Sequence, residues 1–137
     1  AVAHHRHGHV DRGITKLLLT GSLPAAVATS SRRVTAEHHL DRAGLLGRFE
    51  AVTTIDDVVR AKPHPDSYLE AARRLGIQPM HCIAFEDSNI GLTAAHAAGT
   101  MAIMVPDILP PLAEVRAKCV TVVPDLHAAR RLLESAI

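Results

Sequence analysis

The sequence predicts an α/β fold, an open parallel sheet with helices on both faces. Short apolar runs the length of single strands alternate with longer amphipathic runs of helical period. No internal repeat or linker divides the 137 residues, which suffice for one domain with a real core. The apolar run Ile83-Ala84-Phe85 stops abruptly at two acids, Glu86 and Asp87, as a buried strand does on reaching a rim.

The elements follow in order. GITKLLLTGS (13–22) predicts a short helix ended by Gly21, and LPAAVATSS (23–31) a buried strand running into a polar end. Residues 31–49 have apolar or small side chains at 34, 36, 40 and 43, which predicts a helix as far as Gly44. EAVTTIDD (50–57) predicts a second strand. KPHPDSYLEAARRLGI (62–77) opens on a proline-fixed turn, with Asp66 as N-cap and Gly76 as the stop. HCIAF (81–85) predicts a third strand and SNIGLTAAHAAG (88–99) a helix capped by Ser88 and closed by Gly99. TMAIMV (100–105) is a fourth strand, PDILPP (106–111) a loop, LAEVRAK (112–118) a short helix and CVTVV (119–123) a fifth strand. PDLHAARRLLESAI (124–137) is a closing amphipathic helix that begins at Pro124 and Asp125.

Composition excludes several function classes. The net charge is +1, with no basic stripe interleaved with aromatics, so nucleic acid is not an expected partner. The apolar stretches are strand-sized, too short to span a bilayer, so neither is a membrane. The first residues, AVAHHRHGHVDRG, carry histidines where a signal peptide needs an apolar stretch. Cys82 and Cys119 form no disulfide framework and read as free thiols of a cytoplasmic protein. Aromatics are 2% of the chain, which leaves the core to Leu, Val, Ile and Ala. The histidines at 4, 5, 7 and 9 lack an accompanying acid or cysteine pattern, and residues 1–12 read as an ill-defined end before a domain at 13–137. His38 and His39 fall on a predicted helix with no partner in the sequence pattern, His64 in a loop, and His81, His96 and His127 at surface or edge positions.

In open parallel sheets the site lies at the carboxyl ends of the strands. The first predicted strand ends in Thr29-Ser30-Ser31 and the third in Glu86-Asp87-Ser88, while Lys62 lies in the loop after the second. Hydroxyls, backbone N–H groups, a lysine and two carboxylates on one rim are what holding a phosphate beside a divalent cation requires. Adjacent carboxylates raise each other's pKa unless a cation lies between them. Each piece has a plainer reading too. Glu86-Asp87 can be a solvated helix start, Thr29 to Ser31 a cap and Lys62 a surface lysine, and Arg33 either touches a substrate phosphate or faces solvent.

Taken in order and at these spacings, VATSS, AKPHPD and FEDSNIGLTAAHAAG resemble the haloacid dehalogenase superfamily, within it the β-phosphoglucomutase-like and sugar-phosphate phosphatases. The resemblance covers roughly residues 13–137 and implies a Rossmann-like sheet and Mg²⁺-dependent phosphoryl transfer through an aspartyl-phosphate. By resemblance, Thr29 and the Ser30 amide bind the transferring phosphoryl group, and Lys62 neutralises its oxygens. Asp87 binds Mg²⁺, with Glu86 assisting directly or through water. The substrate is a small phosphorylated metabolite, selected in the family by a cap domain. The family's Asp-x-Asp, which supplies nucleophile and general acid–base, has no counterpart in the 137 residues; the one acid before residue 37 is Asp11. The cap has no counterpart either.

The motif I strand belongs between those predicted at 24–28 and 82–85. Two buried strands facing a gap would leave unpaired backbone groups at about 1–3 kcal/mol each. The expectation is therefore a C-terminal part of a larger protein, a degraded copy, or a chain that borrows a strand from a partner. Direct pairing of 24–28 with 82–85 is the alternative. In function the choice lies between a Mg²⁺-dependent phosphatase or phosphomutase and a non-catalytic phosphate- or Mg²⁺-binding relative.

Overall fold

Strands Val2–Ala3 (β1), Ala26–Ala28 (β2), Ala51–Thr53 (β3), Ile83–Glu86 (β4), Met101–Met104 (β5) and Thr121–Val122 (β6) form one sheet in the order β3-β2-β1-β4-β5-β6. Every neighbouring pair is parallel. The computed structural model describes residues 2–3, 23–106 and 110–136. The helix predicted at 13–22 and most of segment 1–12 lie outside the described residues.

The centre of the sheet differs from both expectations above. Strands β2 and β4 neither face a gap nor pair with each other, because β1 lies between them. Val2 pairs with Ala26 on one side and Ala84 on the other, and Ala3 pairs with Val27. A two-residue strand thus occupies the slot that the resemblance reserves for motif I. No apolar run announces it, which is why pattern reading passed over it.

Among the described residues, five α-helices follow the strands: Arg33–Arg42 (α1), Asp66–Leu75 (α2), Asn89–Ala97 (α3), Ala113–Arg116 (α4) and Leu126–Ala136 (α5). Side chains alternate between the two faces of a strand. Ala26, Ala28 and Ala84 pack with Tyr68 and Ala71 of α2, Leu92 of α3 and Val115 of α4. On the other face, Phe85 and Ile103 pack with Ala129 and Leu133 of α5, and Val27 packs with Leu40 of α1. The abundant alanines let the helices lie close to the sheet. The aromatics that composition kept out of the core are in it, since Tyr68 and Phe85 are both buried.

Local chemistry explains the element ends. Ser88 accepts a bond from the Gly91 amide and starts α3, and Gly76 stops α2 with φ 70°, a left-handed turn that suits glycine. Asp66 is the first residue of α2 rather than its cap; Pro65 holds the cap position, and the Asp66 carboxylate instead accepts bonds from Arg60. The strand predicted at 50–57 ends at Thr53. Thr54 and Asp57 form a reciprocal capping box that folds 55–57 into a 3₁₀ turn. In α1, Ala36 and Leu40 face the core while Val34 is exposed, so Val34 does not belong to the apolar stripe. His81, His96 and His127 are exposed, as their sequence context predicts.

Candidate active site

The short strands deliver Ala28, Thr53 and Glu86 to one rim of the sheet. Glu86 is the last residue of β4, on the same face as Ala84, and is 1% exposed. A carboxylate so placed must be paired. The Lys62 ammonium lies 2.6 Å from Glu86 Oε1, with both side chains essentially out of solvent. The same Nζ donates to the Ala28 carbonyl oxygen at 3.3 Å. Ala28 and Glu86 each stand two residues beyond a partner of Val2. Lys62 therefore bridges the two strands that flank β1, across the carboxyl end of the central strand. The Lys62–Pro63 peptide is cis.

Two further residues complete this arrangement. The buried Tyr68 hydroxyl, from the first turn of α2, donates to Glu86 Oε1, and the Tyr68 ring lies 5.1 Å from the Lys62 ammonium. Burial pushes the Tyr68 phenol well above its ordinary pKa, and the charges of Glu86 and Asp87 push the same way, so it remains a donor. Gly91 lies against the other carboxylate oxygen, where a Cβ would stand 2.0 Å from Glu86 Oε2. Sequence reading missed both residues. A glycine inside a helix costs ~1 kcal/mol against alanine, which was the available signal for a close approach at Gly91. Tyr68 is the one tyrosine in the chain and sits six residues after Lys62, but nothing in that spacing names Glu86 as its partner.

The other predicted residues are on the same rim. Buried Thr29 follows β2; its amide donates to the Thr53 carbonyl at 3.0 Å, and its hydroxyl accepts from the Ser31 amide at 3.1 Å. Ser30 is exposed beside it, and Asp87 is half-buried between Glu86 and the α3 cap. Thr29, Lys62 and Glu86 are thus brought together through the strand ends, and Asp87 follows directly. Glu86, read from sequence as assisting a metal, is in the structure the acceptor for Lys62 and Tyr68.

Arg33, read as touching a substrate phosphate or facing solvent, is anchored to the protein instead. It donates to the Val52 carbonyl at 2.8 Å and to Asp57 at 2.6 Å. Burial raises the Asp57 carboxyl pKa, but the Thr54 amide and hydroxyl and the Arg33 guanidinium outweigh it and hold it at about 2.

Among the described residues no group of three or more His, Cys, Asp and Glu is placed to hold a metal. Asp87 and Glu86 offer only oxygen donors. That suits a hard cation such as Mg²⁺, which takes one or two carboxylates and keeps several waters. Nor is any helix of the described residues long and apolar enough to cross a membrane.

The sheet is thus parallel, with a lysine across the end of its central strand and two acids at the end of the next. The family model described as haloacid dehalogenase-like hydrolase matches residues 9–99, and the chain belongs to that family. It is 45% identical over 85 residues to the fructose-1-phosphate phosphatase YqaB of Escherichia coli (strain K12), covering 62% of this chain and 45% of that protein. It is 40% identical over 77 residues to the validoxylamine A 7'-phosphate phosphatase of Streptomyces hygroscopicus subsp. limoneus, covering 56% and 36%. Among solved structures, a HAD family hydrolase from Deinococcus radiodurans R1 with bound phosphate and sodium matches with a TM-score of 0.78 and 30% identity, over 92% of this chain and 59% of that one. A β-phosphoglucomutase from Clostridium difficile shares the fold, with a TM-score of 0.71 at 21% identity, over 91% and 57%. The aligned stretch spans less than half the length of either curated relative.

Proposed function

We propose that this chain forms the core of a phosphatase or phosphomutase acting on a small phosphorylated metabolite, with a sugar phosphate as the first class to try. The observation that carries the reading is the Lys62 bridge between Ala28 and Glu86, with Thr29 and Asp87 on the same rim. A buried ammonium at a strand end can neutralise phosphoryl oxygens in a site of low dielectric. Thr29 and the Ser30 amide would donate to the same oxygens, the Thr29 hydroxyl keeping the bond it accepts from the Ser31 amide. Asp87 would hold Mg²⁺, while Glu86 keeps Lys62 in place beside it. When bound there, Mg²⁺ would stabilise the negative charge that builds on phosphorus oxygens during transfer.

The nucleophile is the open element. The 137 residues contain no Asp-x-Asp, so the attacking carboxylate would come from a segment or partner outside them. That observation favours a second reading, a chain that binds phosphate and Mg²⁺ but does not turn over by itself. The test is hydrolysis of a phosphomonoester panel with Mg²⁺ and with EDTA. We expect no turnover by the 137-residue chain alone and Mg²⁺-dependent turnover once an Asp-x-Asp segment is supplied, abolished by Asp87→Ala. Turnover that survives Asp87→Ala removes the role given to Asp87. Turnover by the isolated chain removes the non-catalytic reading.

A further inference from the structure

Tyr68 raises a question that filling the core does not answer. Its ring sits among the alanines and Leu92 of one face of the sheet, and phenylalanine would fill that volume as well. A phenol buried to 0% exposure needs a partner for its hydroxyl. Here the partner is not a convenient backbone carbonyl but Glu86 Oε1, the oxygen already bonded to Lys62.

The surroundings of Glu86 give that choice a consequence. Oε1 receives the phenol and the ammonium, while Oε2 is pressed against the bare Cα of Gly91. Held on both oxygens, the carboxylate cannot turn about its last torsion without losing a donor or striking α3. Lys62 has a flexible four-carbon stem and is placed by what its head group meets. Its contacts include Glu86 Oε1, the Ala28 carbonyl and the Tyr68 ring.

We propose that Tyr68 is a positioning residue: its hydroxyl fixes the Glu86 carboxylate and its ring floors the ammonium, and together they hold Lys62 across the end of the central strand. The inference deepens the phosphoryl-site reading and rests on it for the role of Lys62. The hydrogen-bond arrangement itself can be tested whether or not the site binds phosphate.

The experiment uses the 137-residue chain and Tyr68→Phe, which keeps the ring and the packing. With a single tyrosine and no tryptophan, the wild-type phenol can be followed alone by ultraviolet resonance Raman, and its tyrosine doublet should report a strong donor. A ¹⁵N–¹H spectrum selective for lysine ammonium groups should show one exchange-protected resonance, assigned to Lys62 by its loss in Lys62→Arg. In Tyr68→Phe the melting temperature should stay within a few degrees while that resonance broadens. Affinity for inorganic phosphate with Mg²⁺ should fall about tenfold, the scale on which orienting partners act. An unchanged ammonium resonance in folded Tyr68→Phe overturns the proposal, and so does a wild-type phenol whose doublet is that of a non-donor. If Tyr68→Phe does not fold, the wild-type Raman doublet alone decides. Wild-type protein that binds no phosphate overturns the phosphoryl-site reading instead, and the ammonium spectrum still decides the role of Tyr68.

Discussion

Two ion-pair networks stand at carboxyl ends of strands in this sheet, and they are built oppositely. At β4, the side chains of Lys62 and Glu86 are 4% and 0% exposed and add a buried phenol and a backbone carbonyl. At β3, Arg33 and Arg74 meet Asp57 at 2.6 and 3.3 Å, with side chains 36%, 30% and 15% exposed. The first network has given up its water, so each member depends on the others. The second keeps much of its water and tidies a turn: Asp57 caps the 55–57 helix, and Arg33 and Arg74 both reach the Val52 carbonyl. A dry pair holds a geometry at the cost of stability if broken. A half-wet pair contributes little and can be lost cheaply.

The comparison breaks first at Lys62. Lys62→Ala leaves the Glu86 charge buried without its cation, and a loss of about 3–5 kcal/mol in urea unfolding is expected. Lys62→Ala combined with Glu86→Gln should recover a large part of that loss. If the single variant costs less than the double, the pair is not the dry network described. Gly91→Ala should come next. Its Cβ has to displace the Glu86 carboxylate, for about 1–3 kcal/mol, although alanine is the better helix former. A stabilised Gly91→Ala would mean that α3 stands further from β4 than the structure has it.

At the β3 end the effects are smaller and depend on pH and salt. Asp57 titrates at about 2 when folded against 3.8 unfolded, so its contribution is present in full above pH 3.8 and disappears as pH falls through 2. Asp57→Asn should flatten that part of the stability profile and cost about 1–2 kcal/mol at pH 7, mostly as a lost cap. Raising the salt to about 1 M, where the Debye length is about 3 Å, should shrink the Arg33–Asp57 coupling and leave the Lys62–Glu86 coupling nearly untouched. The smallest effect is expected at Glu70, which Arg73 and Arg74 hold at about 2 from the helix surface. Glu70→Ala should be hard to tell from wild type at pH 7 by denaturation, since exposed helix pairs contribute little.

These regions also differ in how far sequence could foresee them. The α/β class, most element positions, the Ser88 cap and the Gly76 stop follow from local chemistry within a few residues, and local chemistry is what a sequence displays. Family membership was legible in three ordered motifs. The partner of Lys62 was not, because Lys62 and Glu86 meet across 24 residues of chain. The Tyr68 contact was hidden for the same reason, since its distance in sequence says nothing of its direction from α2. The central strand escaped because two residues, Val2 and Ala3, are too few to make a pattern. The anchoring of Arg33 was missed because its partner, Asp57, read as the end of a strand rather than as a cap.

The most direct test of the account is calorimetric titration of the chain with inorganic phosphate, with and without Mg²⁺, in wild type and Asp87→Ala. The account predicts phosphate binding that Mg²⁺ strengthens in wild type, with that strengthening lost in Asp87→Ala. Phosphate binding indifferent to Mg²⁺, or a Mg²⁺ effect that survives in Asp87→Ala, would contradict it.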